Sequence, residues 1–436
     1  MLSLVGLLVI LTIVVLLIRQ KINPIVALVI VPFIGALIAG FGFEQITEFF
    51  NDGISSVLSV VIMFIFAILF FGVMQDAGLF NPLIGRMVKL SRGNVILVAI
   101  ATVIIGAVAH LDGSGASTFL ITIPPLLPLY RKLNMSPYLL VMLIGLSASI
   151  MNMVPWGGPL GRTAAVTGAD PSELWQPLIP LQVVLIILLI LVAALLGYLE
   201  KMRLKRGGQL VDALSASELE MGDDQGEDKQ SLRRPKLLWL NLLLTLLVVG
   251  FLMWGALPAG MVFMLALSIA LPLNYRSTEL QMERIKEHAP NALMMAAIIL
   301  AAGSFLGILS NTGMLDALAE DIVYILPAFM VPYLHYILGF FGAPFELILN
   351  TDAYYFALLP LVEEIVTGYG VDSIKAAYTM MIGNIIGTFI SPFSPALWLA
   401  VGLAGIEMGR YIKYAFFWVW GFSLLALAAA FLMGII

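Results

Sequence analysis

The sequence predicts an all-α polytopic membrane protein, and its composition and its long apolar runs are the first observations that support this fold class. Of its 436 residues, 61% are hydrophobic and 11% are charged, and the mean hydropathy is +1.04. Soluble domains carry about 25% charged residues. Apolar runs such as 2–18 and 237–254 are long enough to cross about 30 Å of hydrocarbon. A membrane β-barrel would show short alternating segments instead, so we expect a helical bundle.

The pattern of basic residues predicts spans and hairpins. The expected spans are 2–18, 23–43, 55–75, 138–165 and 178–199 in the first half, and 237–256, 258–273, 289–311, 373–400 and 411–434 in the second half. The apolar stretch from Asn94 to Tyr130 has basic residues at both ends. Because basic loops stay in the cytoplasm, this stretch must enter and leave on the same side. We therefore predict a re-entrant hairpin over 94–131, and a second hairpin over 332–364 that opens on the opposite side.

The same rule orients the chain. Of the 22 Lys and Arg residues, all but Arg162 and Lys375 then fall in cytoplasmic loops, and both termini are expected outside. Residues 201–236 are polar and charged, which is typical of a flexible linker. They are predicted to join an N-terminal repeat, 1–200, to a C-terminal repeat, 237–436, on the cytoplasmic side. The first apolar run lacks the flanks of a cleaved signal peptide, so we expect it to remain as a span.

The two halves share short motifs at a nearly constant offset. FFGVMQDAGL (70–79) matches FLGILSNTGM (305–314) at an offset of 235, Pro124 matches Pro360 at 236, and Pro155 matches Pro392 at 237. Each half would hold five transmembrane helices plus one re-entrant hairpin. Five crossings are an odd number, so the second repeat is predicted to be inverted. Inverted repeats are typical of secondary transporters, whose solute site lies where the repeats meet near the bilayer midplane.

Polar motifs at the two hairpin tips are the first candidate solute ligands. The first tip, His110–Thr118, reads HLDGSGAST, and the second tip, Leu349–Ala353, reads LNTDA. Backbone N–H groups at the start of a returning helix bind carboxylates, and the hydroxyl groups add donors. Both motifs are also compatible with residues that only cap and close a hairpin. The predicted substrate ligands of the tips are Asp112, Gly113, Ser114, Gly115, Ser117, Thr118, Asn350, Thr351 and Asp352.

Proline motifs interrupt one apolar helix in each half. The first break is Asn152–Pro159 (NMVPWGGP) and the second break is Ser391–Pro395 (SPFSP). Proline removes a backbone donor and frees carbonyl groups, which are good cation ligands. Arg162 is expected either to hold a carboxylate through two hydrogen bonds or to extend to the membrane interface. The predicted ligands in and beside the breaks are Asn152, Pro155, Gly157, Gly158, Arg162, Asn384, Ser391 and Ser394.

Carboxylates at the tips are the candidate sites for a divalent cation or a proton. Ionisable groups within a membrane are expensive and mark functional positions, which favours Asp112 and Asp352, with His110 as a weaker proton-relay candidate. The chain has no cysteine, which excludes thiolate metal sites and disulfides. The sequence offers no nucleophile–base pair for an enzyme and no basic cluster for nucleic acid.

These motifs resemble the citrate–divalent metal:proton symporter family (CitMHS) of the ion transporter superfamily, over nearly the whole chain. The most specific stretches are MFIFAILFFGVMQDAGLF (63–80), HLDGSGAST (110–118), MNMVPWGGP (151–159) and SPFSPALWLAVGL (391–403). The resemblance implies an elevator-type carrier that is a homodimer in a bacterial plasma membrane. It also implies proton-coupled uptake of citrate as a complex with a divalent cation, Mg or Ca, without a covalently bound cofactor.

One departure leaves an alternative open. Ser117-Thr118 and Asn350-Thr351 only partly match the Ser-Asn-Thr tips of the related sodium-coupled dicarboxylate carriers. That difference disfavours a simple sodium and dicarboxylate site. The alternative is a sodium- or proton-coupled carrier for free di- or tricarboxylates or related hydroxy acids.

Overall fold

The protein is a bundle of apolar helices. The structure, a computed structural model, describes residues 1–18, 22–79, 82, 86–87, 91, 93–208 and 231–436. Within these residues the regular elements are all helical, which confirms the predicted class. Six of the described helices are long and apolar enough to cross a membrane: Phe43–Asp76, Val95–Asp112, Pro171–Arg206, Pro235–Trp254, Thr278–Asn311 and Met408–Leu432.

Helices fill both halves of the chain. In the first half they are Leu2–Ile18, Pro24–Ile38, Phe43–Asp76, Val95–Ala109, Gly115–Lys132, Pro137–Met151, Gly158–Thr167, Pro171–Trp175 and Ile179–Arg206. In the second half they are Leu238–Trp254, Ala259–Asn274, Thr278–Asn311, Met314–Ile325, Leu334–Phe340, Gly342–Phe345, Thr351–Ala353, Leu359–Thr367, Ser373–Ile385, Pro395–Ala404 and Met408–Leu432, with a π-helical segment at Tyr354–Leu358. The predicted linker lies largely outside the described residues, which omit 209–230.

Two long helices pack against each other at the centre of the bundle. The first long helix, Phe43–Asp76, and the second long helix, Thr278–Asn311, each have 34 residues. Both helices begin well before residues 55 and 289, where the predicted spans begin, because the polar residues that precede those spans are part of the same helices. A Cβ atom on Gly53 would lie 2.1 Å from the carbonyl oxygen of Gly303, so glycine is required for this close approach.

A helix–turn–helix lies at each predicted hairpin, and a gap between helices lies at each predicted break. Val95–Ala109 packs against Gly115–Lys132, and Leu334–Phe340 packs against Leu359–Thr367. The helices around the breaks end at Met151 and Ile385 and resume at Gly158 and Pro395. Proline stands in the first turn of each resumed helix, where its missing N–H has no helical partner to lose.

The two halves interlock through these elements. The helix Pro395–Ala404 packs against Gly115–Lys132, the returning arm of the first hairpin. In the same way, Gly158–Thr167 packs against Tyr354–Leu358 in the returning arm of the second hairpin. Each break therefore lies beside the hairpin of the other half, and both tips come together with both breaks.

Candidate solute-binding site

The first tip is a tight turn that holds a carboxylate. His110–Asp112 forms a 3-10 turn, and Gly113 ends it with φ of 71°, a left-handed conformation that favours glycine. Ser114 then caps the returning helix by accepting a hydrogen bond from the Ser117 N–H at 3.4 Å. The Asp112 carboxylate accepts from the Ser114 N–H at 2.9 Å. This bond fixes Asp112 at the start of the returning helix.

Two side chains tie the first tip to the first break. His110 is fully buried, with Nδ1 2.7 Å from Thr118 Oγ1 and Nε2 2.8 Å from Asn152 Oδ1. The Trp156 indole N–H donates to the Leu111 carbonyl at 2.7 Å. The Trp156 ring also stacks on Phe71 of the first long helix, with the centroids 5.0 Å apart. The tip and the break therefore form one packed unit.

A buried ion pair joins the first half to the second tip. Arg162 donates to Asp352 Oδ1 from Nε at 2.8 Å and approaches the same oxygen with a terminal nitrogen at 2.7 Å. The two side chains are 10% and 12% exposed. Asn350 caps the helix that follows by accepting from the Ala353 N–H at 2.8 Å. Arg162 thus faces the interior of the protein.

The tips and breaks surround a cavity of about 710 Å³. Small-ligand sites occupy about 300–1,000 Å³, so the cavity suits a compact solute. Among the described residues that line it, the charged ones are Asp112, Arg162 and Asp352. The predicted ligands in its wall are Asp112, Gly113, Ser114, Gly115, Asn152, Gly158, Arg162, Asn350, Thr351, Asp352 and Ser394.

Some predicted ligands lie behind the wall instead. These are Ser117, Thr118, Pro155, Gly157, Asn384 and Ser391. Thr118 is turned toward His110, and the Asn384 amide donates to the Gly342 carbonyl at 3.1 Å. Gly157 packs so closely that a Cβ atom there would lie 2.1 Å from the Asn152 carbonyl oxygen. In this structure these residues support the site from behind.

Other residues of the wall were absent from the predicted ligands. They include Trp156 of the first break and Asn291 of the second long helix. Asn291 follows Pro290 at the point where the second long helix changes from a polar first part to an apolar second part, and a proline followed by an amide at that change was a usable signal. His288 lies in the same helix, with Nε2 2.8 Å from Asp76 Oδ2.

An apolar helical bundle with a cavity that holds charged side chains between two tips and two breaks is typical of a membrane transporter. The citrate transporter profile (CitMHS) matches residues 6–383. A citrate transporter of Bacillus subtilis (strain 168) is 36% identical over 436 residues, with 100% of each chain covered. A Mg(2+)/citrate complex secondary transporter of the same strain is 35% identical over 440 residues, with 100% of this chain and 99% of the relative covered.

A solved structure shares the fold. The crystal structure of the Alcanivorax borkumensis YdaH transporter, reported to reveal an unusual topology, matches with a TM-score of 0.57 and 16% identity. The match covers 90% of this chain and 87% of that chain. This structural match shows the fold alone. The profile match and the sequence relatives establish that the chain belongs to the citrate transporter family. The resemblance stated from the motifs is confirmed, and the family is one of transporters and not of enzymes.

Proposed function

We propose that the protein is a secondary active symporter that takes up citrate as a complex with a divalent cation, Mg or Ca, and couples this uptake to protons. The charge of the cavity is the observation that carries the proposal. Its described wall holds two carboxylates, Asp112 and Asp352, and one guanidinium, Arg162, a balance of −1. Free citrate, with three negative charges, would be repelled there. The divalent complex carries about −1, which lowers both the repulsion and the desolvation cost.

The geometry supports a division of roles. Asp112 accepts a backbone hydrogen bond from Ser114 and lies beside the Ser117 side chain, and its remaining carboxylate lone pairs suit a hard cation. Arg162 is held by Asp352 in this structure. A citrate carboxylate that reaches Arg162 takes the place of the Asp352 carboxylate as its partner. Asp352 is then free to bind the cation. The backbone N–H groups at the first tip bind a second citrate carboxylate.

The fold supports a transport mechanism with two inverted repeats. The long helices have equal length at an offset of 235, and the helices after the breaks, Gly158–Thr167 and Pro395–Ala404, both have 10 residues at an offset of 237. We propose that the tips and breaks move together as the mobile unit of an elevator, within a homodimer in the plasma membrane. In this arrangement the central linker is cytoplasmic and both termini are outside.

The relatives support the substrate class. One of them is named as a citrate transporter and another as a secondary transporter of a Mg(2+)/citrate complex. A carrier for free carboxylates, coupled to sodium or protons, differs in one measurable respect, because it would bind citrate equally well when a chelator removes divalent cations.

Calorimetric titration of the purified protein tests the proposal. Citrate should bind when Mg²⁺ is present and should lose binding when the cation is chelated. Asp112→Asn should weaken binding of the complex by about tenfold or more, because a ligand of the cation is lost. Asp52→Asn is the matched control, since Asp52 is exposed on the first long helix and lies outside the cavity wall. Binding of free citrate that Mg²⁺ leaves unchanged would contradict the proposal.

A further inference from the structure

Glu346 is a fully buried acid that the site described above does not use. It lies at the end of the descending arm of the second hairpin, directly before the second tip, and is 0% exposed. The Thr351 hydroxyl donates to Oε1 at a long 3.5 Å, and Oε2 has no hydrogen-bond partner among the described residues. A buried, ionised carboxylate with so little compensation is strongly unfavourable.

A second acceptor beside Glu346 has the same deficit. Asn384 and Ser391 adjoin the Glu346 carboxyl group. The Asn384 amide nitrogen donates to the Gly342 carbonyl, which fixes the orientation of the amide, and Asn384 Oδ1 is buried without a partner among the described residues. A protonated Glu346 would avoid the cost of a buried charge and would carry a donor, whereas Asn384 Oδ1 is an acceptor that lacks one among the described residues.

The first half holds a titratable group at the matching position. His110 precedes Glu346 by 236 residues, and each stands four residues before a helix cap, Ser114 or Asn350. His110 has a partner at both ring nitrogens, whereas Glu346 is incompletely satisfied. The comparison distinguishes Glu346 as the titratable group of the two whose hydrogen bonding is incomplete.

The charged surroundings favour a link to the solute. Arg162 acts on Glu346 electrostatically from the first half, and the other titratable neighbours are Tyr354 and Tyr355 of the returning arm. Thr351, which bonds to Glu346, also lines the cavity. An ionised Glu346 would add a negative charge beside a wall whose described balance is already −1.

We propose that Glu346 is the binding site of the coupling proton. Protonation removes this extra negative charge and so favours entry of the anionic metal–citrate complex, and by reciprocity the bound complex favours protonation. The proton leaves as H⁺ when the complex is released, so atoms and charge balance. This inference rests on the proposed symport and adds the identity of the proton site.

Glu346→Gln tests the inference, because glutamine imitates the protonated acid in shape and charge. In the full-length wild type, the apparent Kd for Mg–citrate, at a fixed concentration of complex, should fall about fivefold or more between pH 8.0 and pH 6.5. In Glu346→Gln, binding should persist and this ratio should fall to about 1. In proteoliposomes the variant should exchange labelled citrate but lose stimulation by an inward proton gradient.

Glu200→Gln is the matched control. Glu200 is also buried, but it accepts from the Ser136 N–H at 2.6 Å and pairs with Arg203 at 2.8 Å, outside the cavity wall. A wild-type pH ratio or an intact gradient stimulation in Glu346→Gln would overturn the inference. Loss of citrate exchange in Glu346→Gln would also overturn the inference. A requirement for Na⁺ in place of protons would overturn it too. A wild type without divalent-dependent exchange would instead show that the proposed function fails.

Discussion

We expect the ion pair between Arg162 and Asp352 to couple the two halves of the protein energetically. Arg162 approaches one carboxylate oxygen with two nitrogens, at 2.8 and 2.7 Å, and both side chains are about nine-tenths buried, with 10% and 12% exposed. Removing one partner of such a pair leaves an uncompensated charge, which costs about 3 kcal/mol or more. Arg162→Gln and Asp352→Asn should each lower the free energy of unfolding by about 3 kcal/mol.

The double variant distinguishes this explanation from general damage. Arg162→Gln with Asp352→Asn leaves no unpaired charge, so most of the lost stability should return, while citrate binding should remain weak. The assay is a denaturant titration of the detergent-solubilised protein, analysed as a double-mutant cycle. Arg410→Gln is the control, because its pair with Glu407 is exposed and contributes about 0–1 kcal/mol. Additive losses in the cycle, with no coupling energy, would refute the assignment of an energetic link between the halves.

Packing and capping give two further predictions. Gly53→Ala should lower the midpoint of thermal unfolding, because the new methyl group would meet the Gly303 carbonyl oxygen. Gly250→Ala should leave the midpoint unchanged, because a Cβ atom there has nothing within 4 Å. Equal midpoints for the two variants would contradict the predicted close packing at Gly53. Asn350→Ala should destabilise the protein by about 1 kcal/mol in a denaturant titration, and Ser114→Ala by less, because their cap bonds are 2.8 and 3.4 Å long. The reverse order would contradict the cap assignment.

The sequence predicts the fold class and the polar motifs well because both follow from local chemistry. Apolar runs identify helices that must face lipid, and glycine and proline mark the places where helices stop. The beginnings of the long helices were harder to predict. The polar turns near Phe43 and Thr278 continue the same helical hydrogen bonding, and hydropathy alone places their starts too late.

The composition of the cavity wall was only partly predictable. Residues within one motif share a region of the fold, but the direction of each side chain depends on tertiary packing. Thr118 therefore faces His110, and Asn384 faces a backbone carbonyl. The pairing of Arg162 with Asp352 joins positions 190 residues apart, and no local pattern encodes that contact. Glu346 was not among the predicted ligands, because its burial and its unpartnered oxygen are visible only in three dimensions.

Uptake of labelled citrate into proteoliposomes tests the central claim most directly. The vesicles carry an inward proton gradient, and Mg²⁺, Ca²⁺ and Na⁺ are compared with an excess of chelator as control. The account predicts uptake that requires a divalent cation and collapses when an uncoupler dissipates the gradient. Uptake that depends on Na⁺ and is unaffected by the chelator would contradict it and favour a carrier of free carboxylates.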